Sequence, residues 1–303
     1  MFDLLNIFFE NLLPIFLAAA AGYVLSWKTD LEARHVSKVL FYIFSPALVF
    51  TLIQRYITPE IPLLRMAVIT IATMLLVALL VFLIGKALGY SREMTMAMVL
   101  PAMLLNTGNM GIPVTLFVFG EEGLAYGTVV TIITVIMSYS AGVIVASLGK
   151  ADIKTSLLSL VKLPMLYGVL LAVVMYFTGW SLPLPVGRAV DLMADAAIPT
   201  MLVLLGMQLQ KANLRENIRA LFISTSARLV AGPLIMLGLS SLAGMTGLVQ
   251  QVSILQAGMP GAVTATVLAT EYDTNPEFVT AAITIATVLS PFTLTPLIWL
   301  LTA

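Results

Sequence analysis

Apolar runs bounded by charges, Gly or Pro divide this chain into ten segments, at residues 9–27, 36–54, 64–86, 94–120, 124–148, 158–178, 187–209, 217–244, 248–270 and 277–301. Most approach the roughly 20 residues that a helix needs to cross a bilayer. The polar stretches between them are short, and none is long enough for a soluble domain. The pattern predicts an all-α membrane protein of ten transmembrane helices, here called spans 1 to 10.

The first five spans resemble the last five, in order. Leu13-Pro14 in span 1 is matched by Leu163-Pro164 in span 6. Ser45-Pro46-Ala47-Leu48-Val49 in span 2 is matched by Ile198-Pro199-Thr200-Met201-Leu202-Val203 in span 7. Spans 4 and 9 each carry a Gly/Pro break, at Pro113 and Pro260, and each break is followed by an acidic turn. An odd number of crossings flips the second copy, so residues 1–150 and 151–303 are expected to form two inverted five-helix repeats.

The two breaks are the most informative local feature. One reads Asn106-Thr107-Gly108-Asn109-Met110-Gly111-Ile112-Pro113, the other Gln256-Ala257-Gly258-Met259-Pro260-Gly261. Broken backbone survives at membrane depth only where it is buried in protein or lines a cavity. A matched pair of interrupted helices points to the binding site of a secondary transporter. Pro113 and Pro260 can each open a half-helix, because Pro fits a first helical turn. The positive ends of both half-helices would then face the midplane, an anion site without a formal charge. Asn106, Thr107, Asn109 and Gln256 could add neutral donors and acceptors. The bland alternative is a pair of packed Pro kinks. The expected binding residues are Asn106, Thr107, Asn109, Gly111, Pro113, Gln256, Pro260 and Gly261.

Composition agrees with a lipid-covered bundle. The chain is 60% hydrophobic and 10% charged, against roughly 25% charged in a soluble domain. Lys plus Arg and Asp plus Glu balance at 15 each, so net charge suggests no nucleic acid partner. No Cys is present, which excludes disulfides and thiol nucleophiles. The start, Met1-Phe2-Asp3-Leu4, lacks the basic region of a cleaved signal peptide, so span 1 is expected to be retained. With the N-terminus outside, the inner loops hold Lys28, Arg34, Lys38, Lys86, Arg92, Lys150, Lys154, Lys162, Lys211, Arg215 and Arg219. The outer loops hold only Arg55, Arg65 and Arg188. Eleven against three predicts both termini outside a bacterial inner or plasma membrane.

Charged groups within spans are functional hypotheses. Asp195 lies in span 7 and Arg228 in span 8. Their depths differ by about 8 Å at 1.5 Å per residue, so they could pair as a gate or coupling element, or as a static structural pair. Asp191, one turn outward, reads as a solvated surface residue. His35, the one histidine, sits beside Arg34 in a charged loop. No metal site, cofactor or hydrolase triad is expected. No Gly-rich lysine loop is present, so the chain is not read as an ATP-driven pump. The 17 Met residues read as pliable packing.

At the two break motifs, with Asp195-Ala196, Leu205-Gly206 and Arg228 through Gly232-Pro233 in support, the chain resembles the auxin efflux carrier family across essentially all ten spans. The resemblance implies a fold of the sodium/proton-antiporter and bile-acid-transporter type, with broken helices 4 and 9 crossing at the substrate site. It implies a scaffold of spans 1, 2, 6 and 7 and a moving transport domain of spans 3–5 and 8–10. Asn106, Pro113 and Pro260 match the family's crossover positions. The large cytoplasmic loop of the plant members is missing after span 5, so regulation by loop phosphorylation is not carried over. The expectation is a secondary carrier, not an enzyme, that exports small carboxylates by alternating access. A monoanion leaving an inside-negative cell gains about 2.3 kcal/mol per 100 mV. Its partners would be a carboxylate substrate and the bilayer, with a homodimer as the candidate assembly. The alternatives are a proton- or sodium-coupled symporter or antiporter, and a non-transporting receptor or scaffold on the same fold.

Overall fold

A computed structural model describes residues 6–56, 62–147, 164–209 and 217–302. Lys150, Lys154, Lys162, Lys211 and Arg215, five of the eleven inner-loop cations, lie outside the described residues. Within those residues the chain is helical throughout, apart from turns and one isolated antiparallel bridge. Among the described residues, seven continuous helical runs are long and apolar enough to cross a membrane. In chain order the helices are α1 (Phe8–Lys28), α2 (Ala33–Arg55) and α3 (Leu63–Ala87). Then come α4 (Arg92–Met103), α5 (residues 107–119) and α6 (residues 121–146). The rest are α7 (Pro164–Thr178), α8 (Leu184–Gln208), α9 (Ile218–Leu242), α10 (Leu248–Ala257), α11 (Val263–Glu271) and α12 (Pro276–Thr302).

Helices α5 and α6 form one 40-residue helical run, Thr107–Ala146. A straight helix of that length would measure about 60 Å, twice the hydrocarbon core. Gly120 breaks it with φ 65°, a left-handed conformation that glycine adopts without steric cost. The chain then doubles back. A Cβ on Gly127 would stand 3.3 Å from Cγ2 of Thr115, a contact that twelve residues of straight helix would forbid.

Four prolines inside the apolar runs share one local solution. Each follows a single π turn: Phe8–Leu12 before Pro14, Leu40–Phe44 before Pro46, Thr107–Gly111 before Pro113, and Ala227–Ala231 before Pro233. In every case the residue just before the proline donates its N–H five residues back: Leu13 to Phe8, Ser45 to Leu40, Ile112 to Thr107, Gly232 to Ala227. Proline has no N–H, and its ring crowds the carbonyl four residues earlier. Widening the preceding turn relieves that clash without ending the helix.

Close backbone packing ties two helix pairs together. A Cβ on Gly22 of α1 would overlap the Val203 carbonyl of α8, and one on Gly206 of α8 would overlap the Ala19 carbonyl of α1. Helix α7 approaches α2 in the same way, with Gly168 against the Pro46 backbone. The largest buried cluster lies elsewhere and draws on α3, α4, α6 and α9–α12. Large apolar side chains such as Leu64, Phe177, Leu242 and Phe292 face outward, each more than 70% exposed, a surface suited to lipid. All three Trp residues, Trp27, Trp180 and Trp299, are exposed and sit at or near helix ends. This is the position an aromatic side chain takes at a membrane–water boundary.

Candidate functional site

The two interrupted runs meet. Helix α4 ends at Met103, the chain extends through Leu104–Asn106, and α5 begins at Thr107. Helix α10 ends at Ala257, a short link follows, and α11 begins at Val263. The extended links pair antiparallel at Leu105 and Gly261. Asn106 N–H donates to the Pro260 carbonyl at 2.9 Å, and Ala262 N–H donates to Leu104 at 2.8 Å. Backbone groups that would be orphaned by the breaks thus satisfy one another. Gly261 is required by space, since a Cβ there would stand 2.8 Å from the Pro101 carbonyl.

The half-helices therefore open at Thr107 and Val263, not at the prolines. Pro113 lies in the second turn of α5, behind the π turn. Pro260 lies in the extended link.

A cavity of about 310 Å³ adjoins the crossing. Asn106, Thr107 and Asn109 line it, with Ala262, Val263 and Thr264 from the opposing link and α11. Helix α6 contributes Thr128, Thr131, Thr134 and Ser138, and α2 contributes Lys38, Phe41, Tyr42 and Ser45. Ser37 of α2, Tyr139 of α6 and Gln208 of α8 are further polar residues of the lining. Asn106 precedes α5 as its N-cap, yet its side chain makes no capping bond. Its Nδ2 is buried without a partner, as are Thr128 Oγ1 and Gln208 Oε1. Thr131, Thr134 and Ser138 spend their hydroxyl protons on carbonyls one turn back, each at 2.8 Å, and so face the cavity as acceptors. The donors in its wall include the Asn106 amide and the Thr128 hydroxyl, both without a partner, and the first-turn N–H groups of the two half-helices. Lys38, exposed at the cavity edge, is the one charged residue in its lining, and no carboxylate of the described residues lines it.

Five of the eight expected binding residues do not line this cavity. Gly111, Pro113, Pro260 and Gly261 are buried in the packing around the crossing. Gln256 is fully buried between α10 and the α5–α6 hairpin and donates through Nε2 to Thr115 Oγ1 at 2.9 Å. Its amide fits because residues 111 and 127 are glycines. A Cβ on Gly111 would overlap Gln256 Oε1, and one on Gly127 would stand 3.0 Å from Nε2.

Asp195 and Arg228 are not brought together. Asp195 is exposed at the end of the first segment of α8 and has no ion pair among the described residues. Arg228 is 1% exposed and donates through Nη1 to the Ala102 carbonyl at 2.8 Å and through Nη2 to the Ala257 carbonyl. These carbonyls close the last turns of α4 and α10, whose C-terminal ends carry partial negative charge. The guanidinium finds its counter-charge there instead of on a carboxylate. Gly232, one turn on, leaves room for it, and Ser224, one turn earlier, donates to the Met98 carbonyl at 2.8 Å. Asp191 is not merely solvated, for it pairs with Arg55 at 2.8 Å at the surface.

The Thr128, Thr131, Thr134 and Ser138 stripe was open to detection as hydroxyls at helical spacing within an apolar run. Lys38 and Gln208 had no such local signal.

A family model described as membrane transport protein matches residues 7–299. An uncharacterized transporter of Methanothermobacter thermautotrophicus is 29% identical over 286 residues, covering 93% of this chain and 94% of that relative. A putative malonate transporter of Rhizobium meliloti is 26% identical over 95% of this chain and 94% of its own length. Auxin efflux carrier component 1 of Arabidopsis thaliana is 27% identical over 122 residues, which is 39% of this chain and 19% of the plant protein.

Proposed function

This chain belongs to the auxin efflux carrier family of membrane transport proteins, and we propose that it is a secondary carrier exporting small organic anions through the cavity at the crossing. The observation that carries this reading is the Asn106 amide, buried and unpartnered in a cavity at the N-terminal ends of two half-helices. A carboxylate accepts hydrogen bonds only, and the unpartnered Asn106 amide and Thr128 hydroxyl suit it. The names of two relatives, a malonate transporter and an auxin carrier, are consistent with a small organic anion.

The topology of the proposal is ten crossings in two inverted repeats, with both termini outside. Helices α1, α2, α7 and α8 form the scaffold. The crossing travels with α3–α6 and α9–α12. The cation asymmetry puts exposed Lys38 on the cytoplasmic side, so the cavity is loaded from within. No carboxylate of the described residues lines the cavity, and Asp195 is absent from its wall. This favours export driven by membrane potential over proton exchange at the site.

Purified protein in liposomes loaded with malonate, indole-3-acetate or other small carboxylates tests the reading. Saturable efflux that speeds up when an inside-negative potential is imposed is the expected result. Flux independent of potential overturns uniport, and no flux with any carboxylate moves the reading to a receptor or scaffold.

A further inference from the structure

Four helix ends meet at the crossing. Helices α4 and α10 arrive by their C-termini, and α5 and α11 leave by their N-termini. Each end carries roughly half an elementary charge, negative at a C-terminus and positive at an N-terminus. Arg228 donates to Ala102 and Ala257, one carbonyl from each arriving end. A single guanidinium charge offsets two negative halves. No acidic side chain among the described residues does the same for the two positive halves at the cavity. They sum to roughly one positive charge. Two donors with no partner face the same space, Asn106 Nδ2 and Thr128 Oγ1, on residues 4% and 0% exposed.

We propose that Arg228 sets the charge selectivity of the cavity. By cancelling the two C-terminal ends it leaves the N-terminal ends to present about one net positive charge, matched to a single carboxylate group. Arg228 is a positioning residue here, since it does not line the cavity. A second carboxylate on the ligand would meet only Lys38, which is exposed and screened by salt within about 8 Å. The cavity therefore prefers monoanions to dianions. This deepens the carrier reading and rests on it for the identity of the ligand, though not for the field.

The test needs no substrate. The chain has no Cys, so Asn109→Cys gives one thiol, on a half-buried residue of the cavity in the first turn of α5. Only the thiolate is alkylated by iodoacetamide, and an ordinary thiol reaches half-maximal rate near pH ~8.5. A net positive field should move that midpoint down. Asn109→Cys combined with Arg228→Gln should react about tenfold more slowly at pH 7. With Arg228→Lys, which keeps the charge, the rate should stay within about threefold. Equal rates with Gln and Arg at residue 228, in protein that melts cooperatively, overturn the proposal. So does an Asn109→Cys midpoint at or above that of a free thiol, a result obtained with Arg228 untouched and immune to misfolding of the Gln variant. If the thiol shifts while no carboxylate is transported, the carrier reading fails and the role of Arg228 stands. If carboxylates move and the thiol does not respond, the reverse holds.

Discussion

Replacing Gly111 with alanine should drive α10 away from the α5–α6 hairpin. The new methyl would overlap Gln256 Oε1 and lie 2.9 Å from its Cδ. At its other edge the amide is tied to Thr115 Oγ1 at 2.9 Å. Overpacking in a filled core costs about 1–3 kcal/mol. Displacing the amide also breaks the bond to Thr115, and a buried polar group left unsatisfied costs about 1–3 kcal/mol. Gly111→Ala should therefore destabilise the protein by about 2–5 kcal/mol in all. Gln256→Ala alone should cost less, since it forces no overlap and leaves only Thr115 Oγ1 without its donor. The double variant should recover part of the Gly111→Ala loss, because the methyl then occupies space the amide vacated. Fluorescence-monitored melting in detergent measures all three, and the cycle isolates the coupling. A Gly111→Ala protein as stable as the parent, or a double variant no better than Gly111→Ala, would refute this account of why glycine occupies residue 111.

Asn106→Ala should weaken carboxylate binding about 10- to 100-fold, the loss of a hydrogen bond to a charged group worth about 1.5–3 kcal/mol, while Asn106→Asp should abolish it; inhibition of liposome flux by a carboxylate panel reads both, and an active Asn106→Asp would remove Asn106 from the site. Asp195→Asn should leave stability unchanged within about 0.5 kcal/mol, the usual range for a surface change, and its coupling to Arg228→Gln should be near zero in a thermal double-mutant cycle; substantial coupling would mean that the two residues meet in another conformation.

Much of this arrangement was legible in the order of residues. The described part of every apolar run is helical apart from short turns and the two links, and Gly and Pro clusters marked the runs that are interrupted. Their precision stopped at about one and a half turns. Pro113 reads as a helix start because its missing N–H suits one, yet the π turn Thr107–Gly111 absorbs it inside the helix. Asn106 and Gln256 were indistinguishable locally, each an amide beside a break. They are separated by what lies opposite in space: a cavity for one, and Gly111, Gly127 and Thr115 for the other. Arg228 reads as a cation in need of a carboxylate. Its partners are main-chain carbonyls of two other helices, which carry no signature in side-chain chemistry.

The bridge between Leu105 and Gly261 has a consequence for how recognition is inherited. Successive residues of extended backbone point to opposite sides, and a slip of one residue exchanges those sides. The direction in which Asn106 faces is therefore held by its own hydrogen bond to Pro260 and by that from Ala262 to Leu104, not by the helix Asn106 precedes. If the cavity takes the proposed anion, part of what that anion meets is set by main-chain groups in the second half of the chain. Drift in residues 258–261 of the link would redirect Asn106 while every side chain lining the cavity stayed the same.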